Sequence, residues 1–160
     1  MEATLCASRT VSNPRRVDVP LRRREDAVLS ELIDRYTVHG GLASPDEVIG
    51  LMRPYWRQPI SILAKWIVDH KVVSFIWRSQ ILLPMFQFER PRMTPHESVA
   101  EAAPQLADLM DDEGVAAWFI RPCEWLRQAR PVDFAAIDPV SVADAARRTR
   151  QTLMAHRLAD

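Results

Sequence analysis

PISILAKWIVDHKVVSFIWRSQILLPMFQF, residues 59–88, changes halfway from a helical to a strand-like spacing of its hydrophobic residues. Behind the opening proline, apolar side chains recur at i, i+3, i+4, i+7 and i+8: Ile60, Leu63, Ala64, Ile67 and Val68. This spacing predicts a helix that starts at Pro59, buries these five side chains and leaves Ser61 and Lys65 facing outward.

The second half of the same segment predicts a β-hairpin. Residues 72–77 and 80–88 are rich in β-branched and aromatic side chains, and they flank the pair Arg78-Ser79. Pro84 has no backbone N–H to donate to a neighbouring strand, so we expect the second strand to lie at an edge of the sheet or to bulge.

Upstream, the spacing and the capping residues predict two more helices. The first covers about residues 24–38 and ends at the pair Gly40-Gly41. The second runs from Ser44-Pro45-Asp46-Glu47, a capping box with a proline at the first helical position, to about residue 52. Residues 1–22 show no periodicity and carry a net positive charge, so we expect a disordered basic arm there.

Downstream, residues 91–160 predict a helical region. Thr94-Pro95-His96-Glu97 forms a second capping-box pattern, and Pro104 is expected to kink or split the helix that follows. Asp111-Asp112 is expected to cap a helix over 114–120, and Asp138-Pro139 to start a last helix that reaches about residue 157. The predicted fold class is therefore mainly α with one β-hairpin.

Composition and charge limit the classes of function. The chain has 160 residues, 48% of them hydrophobic, and 21 basic side chains balance 21 acidic ones. Such a chain folds, and any affinity for nucleic acid must come from local patches. Cys6 and Cys123 lack the spacing of a zinc site, and neither a signal peptide nor a membrane span is evident, which predicts a cytoplasmic location without membrane binding.

Sequence signatures of catalysis are absent. The four histidines have no i, i+4 partner, and no motif of a nucleophile elbow, a phosphate-binding loop or a dinucleotide-binding turn occurs. Cys123 is expected to be a buried, unreactive thiol. We therefore expect no enzymatic activity, no metal and no cofactor.

Two short helices followed by a hairpin form the element order of a small winged helix-turn-helix, which is predicted here over residues 23–90. In such a fold the second helix lies in the major groove, and the hairpin tip reaches a phosphate or the minor groove. The predicted DNA-binding residues are Arg57, Ser61, Lys65 and Arg78. A helical cap on a hairpin that has no role in nucleic-acid binding is equally compatible with this order.

Three strings of residues carry a family resemblance. They are LPMFQF at 83–88, AWFIRPCEWL at 117–126 and RPVDF at 130–134, followed by Asp138-Pro139 and VADAA at 142–146. In order and spacing they resemble the Xre/MbcA/ParS antitoxin family over about residues 83–147. The motif positions are Phe86, Gln87, Phe88, Trp118, Phe119, Pro122, Trp125, Leu126, Pro131, Val142 and Ala146. Members of this family commonly have a glycine in the loop at 126–130, where this chain has Arg127-Gln128-Ala129.

The large side chains of these motifs are predicted to form scaffold. We expect six of them to pack between the helices: Trp118, Phe119, Trp125, Leu126, Pro131 and Phe134. On full burial, each large side chain contributes about 1.5–3 kcal/mol to stability.

The resemblance implies that residues 91–160 are a compact helical toxin-binding domain of a type II antitoxin-like protein. Such a protein neutralises a cognate toxin, often a RES-domain enzyme that consumes NAD, by covering its active site, and it binds operator DNA to regulate its own synthesis. The last helix offers a cationic surface for this role, and the predicted toxin-binding residues are Arg147, Arg148, Arg150 and Gln151. A homodimer or a higher hetero-oligomer with the toxin is expected. A stand-alone DNA-binding transcriptional regulator and an adaptor that binds only protein stay open as alternatives.

Overall fold

The structure is a computed structural model that describes residues 19–160, so most of the arm predicted over residues 1–22 lies outside the described residues. Within the described range the chain is mainly helical, with small antiparallel sheets. The elements in order are α1 Val19–Val38, β1 Leu42–Ala43, α2 Pro45–Met52, α3 Pro59–Val68, β2 Phe75–Trp77, β3 Gln80–Pro84, β4 Phe88–Glu89, β5 Thr94–Pro95, α4 Glu97–Ala107, α5 Asp112–Ile120, α6 Pro131–Phe134 and α7 Pro139–Ala159. The first helix begins at Val19, five residues before the predicted start at about 24, so the prediction that residues 19–22 belong to a disordered arm is wrong.

The predicted hairpin is confirmed, but its strands are shorter than predicted: residues 72–74 are not strand, and a short 3-10 helix, Met85–Gln87, follows Pro84. Strands β2 and β3 are antiparallel, and Arg78 and Ser79 form the turn between them with φ values of 47° and 64°. Strand β1 pairs with the far end of β3, which gives the strand order β1-β3-β2. Because β3 is the central strand, the expectation that Pro84 places it at an edge is wrong.

The Gln87 side chain explains how a proline fits a central strand. The register that pairs Phe75 with Leu82 places Val73 opposite Pro84, which has no N–H to donate to the Val73 carbonyl. The Gln87 carboxamide takes that role: its Nε2 donates to the Val73 carbonyl at 2.8 Å, and its Oε1 accepts from the Val73 N–H at 2.6 Å. Gln87 is fully buried, so this motif residue satisfies two backbone groups that water cannot reach.

Local caps fix the ends of three helices. Ser44 and Glu47 form the predicted capping box of α2, with the Ser44 N–H donating to the Glu47 carboxylate at 2.7 Å. Asp111 accepts from the Gly114 N–H at 2.8 Å, and Asp138 accepts from the Ser141 N–H at 3.1 Å. The second predicted capping box is wrong, because Thr94–Pro95 forms strand β5 and α4 begins only after it.

Pro104 does not split the helix in which it lies, since α4 continues to Ala107. A proline at this position removes the N–H that would bond to the carbonyl four residues earlier, which belongs to Ala100. The Lys71 ammonium group donates to that carbonyl at 3.5 Å. A side chain from the α3–β2 connection therefore supplies a donor that the helix itself lacks.

Helix α3 buries a different face from the predicted one. Ser61 and Lys65 are exposed as expected, but three residues predicted to be buried are exposed too: Ile60 by 60%, Val68 by 74%, and Ala64. The buried residues are Pro59 and Leu63, with other apolar side chains of the helix half-buried beside them. Apolar residues occur around most of this helix, so their spacing alone does not select the buried face.

The buried side chains form two clusters. One joins α1, β2, α4, α5, α6 and α7 around the fully buried Phe119, Val142 and Ala146, and the other joins α2, α3 and the sheet around Met52 and Leu63. Helix α1 belongs to the first cluster, although it lies in the segment predicted as the helix-turn-helix part. Side chains from both sides of residue 90 therefore pack in one cluster. The division into segments 23–90 and 91–160 stays a prediction.

Tyr36 is the main contact of α1 within the first cluster. Its hydroxyl donates to the carbonyl of Ala116 in α5 at 2.6 Å, and its ring stacks on Phe75 and Phe86. Burial raises the pKa of the Tyr36 phenol well above its ordinary value, so the group stays a neutral hydrogen-bond donor.

Candidate partner-binding groove

The loop between α5 and α6 is a tight turn closed by backbone hydrogen bonds. The Cys123 N–H donates to the Ala129 carbonyl at 2.9 Å, and the Gln128 N–H donates back to the Cys123 carbonyl at 2.9 Å. Arg127 and Gln128 take left-handed conformations, with φ values of 54° and 67°. This backbone region favours glycine, so two residues with side chains hold it at some cost in free energy.

This turn presents Trp125 to solvent. The residue is 40% exposed, so the expectation that it is core is wrong. The other five side chains predicted as scaffold are buried or half-buried: Trp118, Phe119, Leu126, Pro131 and Phe134. Pro122, a motif residue at the start of the loop, is exposed as well. The loop thus holds the Trp125 indole at the surface of the protein.

A groove lies between the loop and helix α7. It contains a cavity of about 330 Å³ lined mainly by Trp118, Cys123, Trp125, Gln128, Thr149 and Leu153. The Trp118 indole N–H donates to the Thr149 hydroxyl at 3.2 Å, and that hydroxyl donates to the Ala145 carbonyl at 2.9 Å. These two bonds hold Trp118 and Thr149 in place. We call this part the apolar cavity after Trp118, Trp125 and Leu153, although polar residues line it as well.

A second, polar hollow of about 350 Å³ adjoins the apolar cavity, and the two share Trp125 and Thr152. The Arg148 guanidinium lies over the Trp125 ring, 5.5 Å from its centroid, and its Nε donates to Asp144 at 2.9 Å. Arg147 lies 3.9 Å from the other oxygen of Asp144. Together with Gln151 these residues line what we call the donor hollow.

The structure brings together three of the four predicted toxin-binding residues, namely Arg147, Arg148 and Gln151. Arg150 is separate, because it donates to the Gln105 carbonyl at 2.9 Å and to the Asp108 carboxylate at 2.7 Å. It fastens α7 to α4 and does not line the groove. Helical spacing does not separate Arg150 from the groove, since residues 147 and 150 are three apart and share a face of α7. Its hydrogen bonds to Gln105 and Asp108 do so.

The Cys123 thiol is buried, as expected. Burial raises its pKa, against the opposing effect of hydrogen bonds from the backbone N–H groups of Trp125 and Leu126. A raised pKa lowers the fraction of reactive thiolate at neutral pH. Among residues 19–160, no group of three or more His, Cys, Asp or Glu is placed to hold a metal ion.

The four predicted DNA-binding residues are all exposed and lie in or beside α3 and at the hairpin tip. Lys65 is paired with Asp69 at 2.9 Å, which offsets its charge. Arg78 lies over the Trp77 ring, 5.0 Å from its centroid. None of these four residues lines the groove.

Comparisons with known proteins give no match: no protein-family model, no curated protein and no solved structure resembles this chain closely enough to count. Across the described part of the chain, no helix is sufficiently long and apolar to cross a membrane.

Proposed function

We propose that this chain is an antitoxin-like protein that neutralises a partner enzyme by covering its active site with the surface around the groove. The partner class that the sequence resemblance favours is a RES-domain, NAD-consuming toxin. The observation that carries the proposal is the exposed Trp125 with Arg148 stacked on it, next to Arg147 and Gln151. Tryptophan and arginine dominate the energetics of protein interfaces, and here both are held in place before a partner binds.

The residues of the family motif support the proposal in a second way. Phe119, Val142 and Ala146 are fully buried and hold α5 and α7 in one cluster, so they act as scaffold for the groove. The loop in which family members commonly have glycine is the one where Arg127 and Gln128 adopt positive φ. A glycine would be favoured at these positions, which agrees with the resemblance.

The experiment is co-expression with the enzyme encoded by the neighbouring reading frame. We expect cells that express this enzyme alone to lose NAD and stop growing, and cells that also express this chain to keep both NAD and growth. Purified chain should inhibit the purified enzyme at a one-to-one ratio or above. A neighbour that is not an NAD-consuming enzyme, or NAD loss that persists with excess chain, would contradict the proposal.

We propose operator binding as a second activity of the same protein, through α2, α3 and the hairpin. The element order β1-α2-α3-β2-β3 with the strand order β1-β3-β2 supports a winged helix-turn-helix interpretation. Arg57, Lys65 and Arg78 are exposed. Binding by one copy of such a small site is weak, so a dimer on a palindromic operator is the expected assembly.

DNA binding is tested with the triple variant Arg57→Ala, Lys65→Ala and Arg78→Ala on a promoter fragment. We expect at least a tenfold loss of affinity, and a log–log salt slope reduced by about 1 for each phosphate contact removed. The control removes three other exposed arginines on α1 and after α5: Arg24, Arg35 and Arg121. Equal binding by the two triple variants would indicate a protein-only adaptor or DNA contacts elsewhere.

A further inference from the structure

The two halves of the groove differ in what they can bind. The lining of the apolar cavity is mixed, with Trp118, Trp125 and Leu153 beside polar residues such as Gln128 and Thr149. Its apolar part suits an aliphatic or aromatic group. Its volume of about 330 Å³ lies at the small end of the range of natural ligand pockets, about 300–1,000 Å³. A single large side chain is therefore a suitable occupant.

The donor hollow offers N–H groups in excess of its own acceptors. Arg147 and Arg148 approach the same carboxylate, that of Asp144, at 3.9 Å and 2.9 Å. Two guanidinium groups carry more N–H donors than one carboxylate can accept, and the three charges sum to a net positive one. The hollow is therefore complementary to a second carboxylate, which a guanidinium binds through paired hydrogen bonds.

The two ends of the groove also differ in charge. Glu124 lines the apolar cavity and does not line the donor hollow. An acidic ligand group is repelled on the Glu124 side and attracted on the side of Arg147 and Arg148. Trp125 lies between the two parts, because it lines both of them.

We infer that the groove recognises a peptide segment of the partner in which an aliphatic or aromatic side chain stands within one or two residues of an aspartate or glutamate. The apolar side chain enters the apolar cavity beside Trp125, and the carboxylate binds Arg147 and Arg148 in the donor hollow. This inference rests on the proposed function for the identity of the partner, but the chemistry of the segment follows from the groove itself.

The test selects phage-displayed random twelve-residue peptides on the full-length protein, with Trp125→Ala protein used to remove peptides that bind elsewhere. We expect the selected peptides to share an apolar residue close to an acidic one. A synthetic selected peptide should lose at least tenfold in affinity when its acidic residues are replaced by their amides. Selection of no peptide that depends on Trp125, or of basic or uncharged peptides, would overturn the inference.

Two charge variants of the protein give a sharper readout on the same peptide. Arg148→Gln should weaken binding about tenfold or more, whereas Glu124→Gln should tighten it about twofold. A purely structural role of these residues would not produce changes of opposite sign. Displacement of the peptide by NAD would instead assign the groove to a nucleotide and overturn the inference.

The outcome is separable from that of the proposed function, since the selection uses no toxin. A clear apolar–acidic consensus without protection of cells would count against the proposed function alone. Protection of cells by the wild-type chain, with no such consensus, would count against the peptide chemistry alone.

Discussion

Replacing Gln87 with leucine should lower the free energy of unfolding by about 2–5 kcal/mol, although the new side chain is apolar and similar in size. The substitution removes both hydrogen bonds to Val73, whose backbone N–H and carbonyl then have no partner although the residue is buried just before β2. Each buried and unsatisfied polar group costs about 1–3 kcal/mol. Urea denaturation followed by tryptophan fluorescence measures the change.

The matched control is Gln80→Leu, at the exposed first residue of β3. It makes the same chemical change where water can solvate the backbone, so we expect a change within about 0.5 kcal/mol. Equal effects at the two positions would show that the Gln87 carboxamide does not act through Val73.

The variant Gln87→Glu should make the free energy of unfolding depend on pH. An ionised carboxylate there can accept from the Val73 N–H but repels the Val73 carbonyl, whereas the protonated acid can donate to that carbonyl. Burial raises the pKa of the introduced carboxyl group in the folded state, so its contribution to stability is full at low pH and is lost as the pH rises through that raised value. A stability difference from wild type that does not change between acidic and neutral pH would contradict this reasoning.

Replacing Trp125 with alanine should weaken binding to the partner enzyme by at least about thirtyfold, which corresponds to about 2 kcal/mol. The substitution removes the surface shared by the apolar cavity and the donor hollow, and it removes the ring on which Arg148 rests. Inhibition of the purified enzyme, titrated with wild-type and variant chain, measures the loss.

Folding of this variant must be checked separately, because Trp125 is partly buried and its removal is expected to cost about 1–2 kcal/mol of stability. Circular dichroism at the assay temperature should show unchanged helix content. Ile137→Ala is the control, since Ile137 is an apolar residue with 79% exposure that does not line the groove. If Ile137→Ala weakens inhibition as much as Trp125→Ala, the interface lies elsewhere.

Features that depend on a few neighbouring residues could be predicted from the sequence. The caps at Ser44, Asp111 and Asp138 each satisfy an N–H group three residues away, so a short string contains both partners. The hairpin turn at Arg78-Ser79 is predictable for the same reason. The separation of Arg150 from the groove is not of this kind, because it depends on Gln105 and Asp108, more than 40 positions earlier in the chain.

Features that depend on distant partners could not be predicted. The exposure of Trp125 results from a turn in which two residues with side chains take positive φ. From the sequence alone, a tryptophan followed by a leucine in an apolar motif is expected to be core. The position of Pro84 in a central strand depends on the pairing of β3 with β1, about 40 residues earlier in the chain. The sequence points to the unusual backbone of the loop around Trp125 only through the family resemblance. Members of the family commonly have a glycine where this chain has Arg127-Gln128-Ala129.

The bond from Tyr36 to Ala116 joins residues 80 positions apart, and it bears on the order of events at the ribosome. Chains are synthesised from the N-terminus, so α1 leaves the ribosome well before α5 exists to cover it. Until then the aromatic face of Tyr36 has Phe75 and Phe86 as its only stacking partners among the described residues. The nascent chain therefore passes through a period in which its first helix is exposed to chaperones and proteases, and that period ends only when the second half of the protein has been made.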